Sequence, residues 1–234
     1  MASHHGITSA TEIRDIIIAD AVLIIAFSLT IAGGIPTISG SSSSIAIRTF
    51  LQYLPIAAVG VSLGFILHEL MHKFVAQHFG AQAEFRTSWM GLSITLITGA
   101  LGFLLGIPGA TMIYTDRFTS EQEGIVSIAG PLTNFAVFAV FFLILIVTNP
   151  PQTSYLYNAI DFVIFINLLL AFFNMLPIYP LDGSKVLRWN KPIYAITMVI
   201  LLVLMLYFHV LSWYNLLIML AIALFFSLFY RSIL

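Results

Sequence analysis

Five consecutive residues, His68-Glu69-Leu70-Met71-His72, carry the first recognisable chemistry in this chain. On a helix, residues four apart share one face, so the two histidines can turn their ring nitrogens toward a single ion. Imidazole suits zinc, and a histidine pair leaves room for a third ligand and a water. Glu69 stands beside the first histidine, where a carboxylate can polarise a metal-bound water. H-E-x-x-H sequences without metal do occur, and there the two histidines simply line a polar cavity. The setting favours the metal, because a His-Glu-His cluster at the end of an apolar run is costly without a compensating role. The chain contains no cysteine, so any metal must be held by histidine and carboxylate.

A third ligand is required, and carboxylates in or near the apolar stretches are few: Asp20, Asp161 and Asp182. Asp182 lies in Asn174-Met-Leu-Pro177-Ile-Tyr-Pro180-Leu181-Asp182-Gly183, where two prolines and a glycine interrupt a helix after about residue 176. At membrane depth such a break is tolerated only where it lines a cavity or is buried in protein. Asp20, inside the first apolar segment, suits a water path or a helix–helix contact equally well. Asp161 stands near the start of its segment, as an interfacial residue would.

The elements that must position these residues are membrane spans. Hydrophobic residues make up 60% of the 234, charged residues only 8%, and mean hydropathy is +1.03. Soluble domains carry about 25% charged residues, so this chain cannot coat a water-facing surface, and it is far too apolar to be disordered. A net charge of −1 gives no basic face for nucleic acid. A span needs about 20 mostly apolar residues. By that measure, spans are expected at roughly 15–33, 52–78, 123–148, 158–176, 192–209 and 213–230. The first of these is longer than a signal-peptide core and no small-residue cleavage site clearly follows it, so it is expected to be retained. A polar loop with Gly33-Gly34 and Ser41-Ser42-Ser43-Ser44 joins the first two spans, and Asn149-Pro150-Pro151-Gln152 makes another turn.

The run 91–107 is short and punctuated by glycine and β-branched residues, so it either spans or dips in and returns. Basic residues separate the two cases. If it returns, Arg14, Lys73, Arg86, Arg117, Lys185, Arg188, Lys191 and Arg231 share one side and only Arg48 lies opposite, whereas a spanning run would split the nine basic residues 3 to 6. The positive-inside rule favours the return, with both termini cytoplasmic. The same topology puts the H-E-x-x-H and the helix break at Asp182 at the cytoplasmic ends of their segments, where they can meet. Short strands are expected at Ala81–Thr87 and Gly109–Thr115, flanking the returning run. An exposed strand edge there could hold an unwound substrate segment by β-augmentation. The fold expected is therefore an all-α polytopic membrane protein of about six spans, with a short re-entrant and β-hairpin region between spans 2 and 3.

Three motifs together resemble the site-2 protease family of intramembrane zinc metalloproteases. They are His68-Glu69-Leu70-Met71-His72, Gly130-Pro131-Leu132-Thr133-Asn134, and Asn174-x-x-Pro177-x-x-Pro180-Leu181-Asp182-Gly183. The resemblance covers roughly 51–188 and keeps the family's order and spacing. It implies that His68, His72 and Asp182 are the zinc ligands and Glu69 the general base. It also implies that Asn174 contacts the substrate backbone or the oxyanion. For Asn134 the Gly130-Pro131 just before it favours a packing or kink role. The chain shows no PDZ or CBS module, which places it in the compact form of the family. It is expected to be one integral-membrane domain, 1–234, with a C-terminal helical pair at 192–230.

The activity implied is a zinc endopeptidase that cuts transmembrane protein substrates within the lipid bilayer of the cell membrane, its active-site side cytoplasmic. The competing classes are an ion-coupled transporter that uses intramembrane His, Glu and Asp as a relay, and a silent scaffold that binds membrane clients. A transporter predicts paired half-helices in matching repeats, and none are visible in the sequence. A scaffold has little need of an intact Glu69. Oligomeric state is left open.

Overall fold

The computed structural model describes residues 8–40, 42–106, 108–115 and 118–210. In chain order the elements are α1 (Ala10–Ile31), α2 (Gly34–Ile38), α3 (Ser43–His78), β1 (Gln82–Thr87), α4 (Trp89–Ala100), β2 (Gly109–Tyr114), α5 (Ser120–Thr148), α6 (Tyr155–Asn174), α7 (Asp182–Trp189) and α8 (Lys191–Tyr207). The described residues are mostly helical and include one small two-stranded sheet.

Helix starts are written in polar residues set between apolar runs. Ser9, Ser88, Ser154 and Asn190 each accept a backbone N–H three residues on, at the starts of α1, α4, α6 and α8. Thr119 and Gln122 form a reciprocal capping box at the start of α5. Each satisfies donors that the first helical turn cannot pair internally. Bonds of this kind are costly to lose where water is scarce.

Among the described residues, three helices are long and apolar enough to cross a membrane: α3, α5 and α6. α1 has 22 residues but carries Glu12, Arg14, Asp15 and Asp20. α8 is apolar with 17 residues, and the span expected at 213–230 lies outside the described residues. α3 is the longest of the described helices, with 36 residues; at about 1.5 Å per residue that is roughly 54 Å, well beyond a hydrocarbon core of about 30 Å. The expected run 91–107 contains α4, a helix of only 12 residues, or roughly 18 Å. α4 leaves β1 and the chain returns through β2, and these strands pair antiparallel from Gln82↔Tyr114 to Thr87↔Gly109. Both ends of the excursion therefore lie at the same place in the molecule.

The two larger of three apolar clusters among the described residues hold most of the helices. One gathers Ile16, Leu23, Ile56, Val61, Phe65, Phe85, Leu92, Phe162 and Ile166 from α1, α3, β1, α4 and α6. The other gathers Phe138, Ile164, Leu168, Phe172, Val186, Leu201 and Met205 from α5, α6, α7 and α8. α6 supplies both, one face to each, and is the central helix of the structure. Large apolar side chains such as Leu51, Val59, Val140, Ile146, Val199 and Val203 face outward on α3, α5 and α8, as a lipid-facing surface requires.

A candidate metal centre between α3, α5 and α7

The helical spacing of the H-E-x-x-H works as the sequence suggests. His68 and His72 lie one turn apart on α3, both buried, with their Nε2 atoms 3.0 Å apart. Asp182, the first residue of α7, brings its Oδ2 to 3.4 Å from His68 Nε2 and 3.1 Å from His72 Nε2. The three ligand atoms all lie within 4.8 Å of one another. A tetrahedral zinc with bonds of about 2.0 Å has ligand-to-ligand edges of about 3.3 Å. The observed triangle matches one face of that tetrahedron, and two imidazoles with a carboxylate are a donor set that zinc accepts. Burial by itself raises the Asp182 carboxyl, but the imidazoles of His72 and His68 beside it reverse this and hold it well below the usual carboxylate range.

Each imidazole is aimed by a partner on its far nitrogen. His72 Nδ1 is 2.8 Å from the Val126 carbonyl of α5, which can only accept, so this nitrogen carries the proton. His68 Nδ1 is 2.6 Å from Asn134 Oδ1. The Asn134 amide is fully buried and donates through Nδ2 to the Gly64 carbonyl at 2.8 Å and to Asn167 Oδ1 at 3.0 Å. With its nitrogen committed as a donor on that side, Asn134 presents oxygen to His68, which therefore donates from Nδ1. Both histidines thus turn their Nε2 atoms toward Asp182. Such outer partners fix the tautomer and orientation of metal-binding histidines.

Two glycines make the close approach possible. A Cβ on Gly130 of α5 would come within 2.5 Å of His72 Nε2 and 2.6 Å of His68 Nε2. A Cβ on Gly183 would meet the Met175 carbonyl oxygen at 2.0 Å, so the start of α7 can press against the end of α6 only because residue 183 has no side chain.

Glu69 is half-buried beside the first histidine, and its Oε2 accepts from the Thr111 N–H at 2.9 Å and the Thr111 hydroxyl at 2.8 Å. Asn174, expected on the substrate side, ends α6 and donates from Nδ2 to the Leu170 carbonyl one turn earlier, at 3.0 Å. The other two carboxylates stand apart from the cluster. Asp20 accepts from Ser62 Oγ at 2.7 Å, and Asp161 is exposed.

The strand edges differ from a bare docking surface. The outward N–H groups of Phe85 and Thr87 on β1 donate to Glu12 Oε1 and Asp15 Oδ2, at 3.0 and 3.3 Å. That of Thr111 on β2 donates to Glu69. A strand adding at any of these positions must displace a carboxylate. Sequence reasoning missed Asn167, Thr111 and the Glu12–Lys73 pair. A single asparagine in the otherwise apolar stretch 162–173 of α6 was the available signal for Asn167; for Thr111 there was none.

No family model and no solved structure matches the chain. Curated relatives do. A protein of Methanocaldococcus jannaschii provisionally named zinc metalloprotease MJ0611 is 45% identical over 153 residues, which is 65% of this chain and 79% of that protein. A second protein of that organism, named zinc metalloprotease MJ0392, is 30% identical over 53% of this chain, though this covers only 30% of its own length. The provisionally named zinc metalloprotease YwhC of Bacillus subtilis is 27% identical over 59% of this chain and 70% of its own.

Proposed function

Because this chain belongs to the site-2 protease family of zinc metalloproteases, we propose that it is an intramembrane endopeptidase that hydrolyses peptide bonds in or near the transmembrane segments of membrane-protein substrates. Zinc is its cofactor. The observation that carries this reading is the buried triangle of His68, His72 and Asp182 with Glu69 at its side. When bound there, zinc supplies Lewis acidity, polarising a carbonyl and lowering the pKa of water.

The chain's own residues do the rest. His68 and His72, oriented by their Nδ1 bonds to Asn134 and Val126, would hold the ion through Nε2, and Asp182 would add the third ligand and a compensating negative charge. Glu69 takes the proton of the attacking water and later delivers it to the leaving amine. Asn174 uses one amide hydrogen on the Leu170 carbonyl, and its second hydrogen serves the substrate backbone or the developing oxyanion.

The proposed setting is a six-span topology in one domain, both termini and the active-site side cytoplasmic in the cell membrane. It is supported by the paired strands that return the α4 excursion to its origin and by the bias of basic residues to one side. The α8 helix begins the C-terminal pair. The partners are single- or multi-span substrate proteins whose helices must unwind to reach the site.

Purified protein carrying Glu69→Gln is expected to retain zinc while cleavage of a single-span substrate falls by about 10²–10⁴-fold. Asp182→Asn is expected to lose zinc. Equal cleavage by wild type and Glu69→Gln overturns the reading.

A further inference from the structure

Glu69 and Lys73 lie one turn apart on α3, and a closed ring of contacts joins them through the hairpin. Glu69 accepts two bonds from Thr111 on β2. Thr111 stands opposite Phe85 on β1. The Phe85 N–H points to the other side and donates to Glu12 Oε1 on α1, at 3.0 Å. Glu12 Oε2 lies 2.5 Å from Lys73 Nζ, both side chains being essentially fully buried, which returns the path to α3. One cross-strand pair is therefore clamped on both outer edges by carboxylates, and one of these is Glu69.

We infer that Thr111 is a positioning residue that aims Glu69, and that the hairpin register held by Glu12 and Lys73 keeps it in place. The inference rests on Glu69 being the general base. A glutamate on a helix has three rotatable bonds and no intrinsic aim. Here the Thr111 N–H binds Oε2, and the hydroxyl, within reach of Oε2 at 2.8 Å and of the Glu69 carbonyl at 3.1 Å, donates to the nearer Oε2, which fixes the carboxylate and leaves Oε1 for a proton in transit. Only the outward-facing position serves. A slip of one residue turns the outward amides inward and places Ala110 or Met112 opposite Glu69, neither of which has a hydroxyl. The Phe85 side chain, buried edge-on against Phe65 with ring centroids 5.4 Å apart, opposes such a slip from the core side.

Thr111→Val keeps the shape and removes the hydroxyl. Its kcat is expected to fall about 10–100-fold, the usual range for residues that orient a metal site from its second layer, with KM and zinc content unchanged. Thr111→Ser, which restores the hydroxyl, is expected to return most of the rate. A Thr111→Val protein that cleaves at the wild-type rate overturns the inference, as does one whose lost activity merely follows lost zinc. Hydrogen exchange at the Thr111 amide gives a second readout that needs no catalysis. Exchange is expected to quicken at least tenfold in Glu69→Ala, which keeps all three proposed ligands, and unchanged exchange counts against the contact. An active Glu69→Gln would sink the base assignment itself. An active Thr111→Val beside an inactive Glu69→Gln sinks only the positioning role.

Discussion

His68, His72 and Asp182 were legible as individual residues because each sits in a pattern that has a physical meaning. The histidines follow helical spacing, and Asp182 follows a proline-marked break. What could not be read was the layer behind them. Asn134 follows Gly130-Pro131, which suggested a kink, yet its amide is the buried partner of His68. Whether an asparagine packs between helices or orients a ligand depends on which helix faces it, and that is a tertiary fact. Gly130 has the same standing. Helix α5 passes so close to both imidazoles that any Cβ there would crowd the two ring nitrogens that face the third ligand. Gly130→Ala is therefore expected to reduce zinc occupancy sharply while leaving the helical circular dichroism unchanged. Metal analysis of the purified variant checks this, and full zinc loading would contradict the geometry.

At the scale of elements, the apolar runs located α1, α3, α5, α6 and α8 to within a few residues at most ends, and the two strands within one. Helix α3 begins nine residues before its expected start at 52. Its first two turns hold Ser43, Ser44, Arg48 and Thr49, polar residues that extend a helix beyond the apolar stretch but do not register as membrane-spanning. The joints were less visible. Lys73 served as a marker of cytoplasmic charge, but it is 1% exposed and paired with Glu12, which is 0% exposed. Thr8 Oγ1 lies a further 3.1 Å from its ammonium. Removing one partner leaves a buried charge uncompensated, at a cost of about 3–5 kcal/mol. Lys73→Met is expected to show that loss in denaturant titration in mixed micelles, and the doubly neutral Glu12→Gln/Lys73→Met protein to recover a large part of it. A stable single variant would show that the pair contributes little.

For the whole molecule, composition alone identified a membrane protein, and the sheet now bears on its threading. β1 and β2 are partners, so the segment between them starts and finishes at one level. The chain has no native cysteine, which makes single introduced thiols clean reporters of sidedness. A cysteine placed in the segment between α7 and α8, or beside Arg86, is expected to resist impermeant reagents applied from outside the cell, while one beside Arg48 reacts. External labelling near residue 190 would overturn the topology.

The separation of the proposed ligands along the chain has a consequence for biogenesis. His68 and His72 are made together, early, and on one helix, while Asp182 belongs to the last quarter of the sequence. At about 5–20 residues per second, the ribosome takes on the order of ten seconds to travel from one to the other. Throughout that interval the nascent protein displays a histidine pair without its carboxylate, and so lacks a complete site for the metal. The proposed centre is complete only after α6 and the start of α7 have been made. On the proposed function, a newborn copy is therefore expected to stay inactive during its own synthesis.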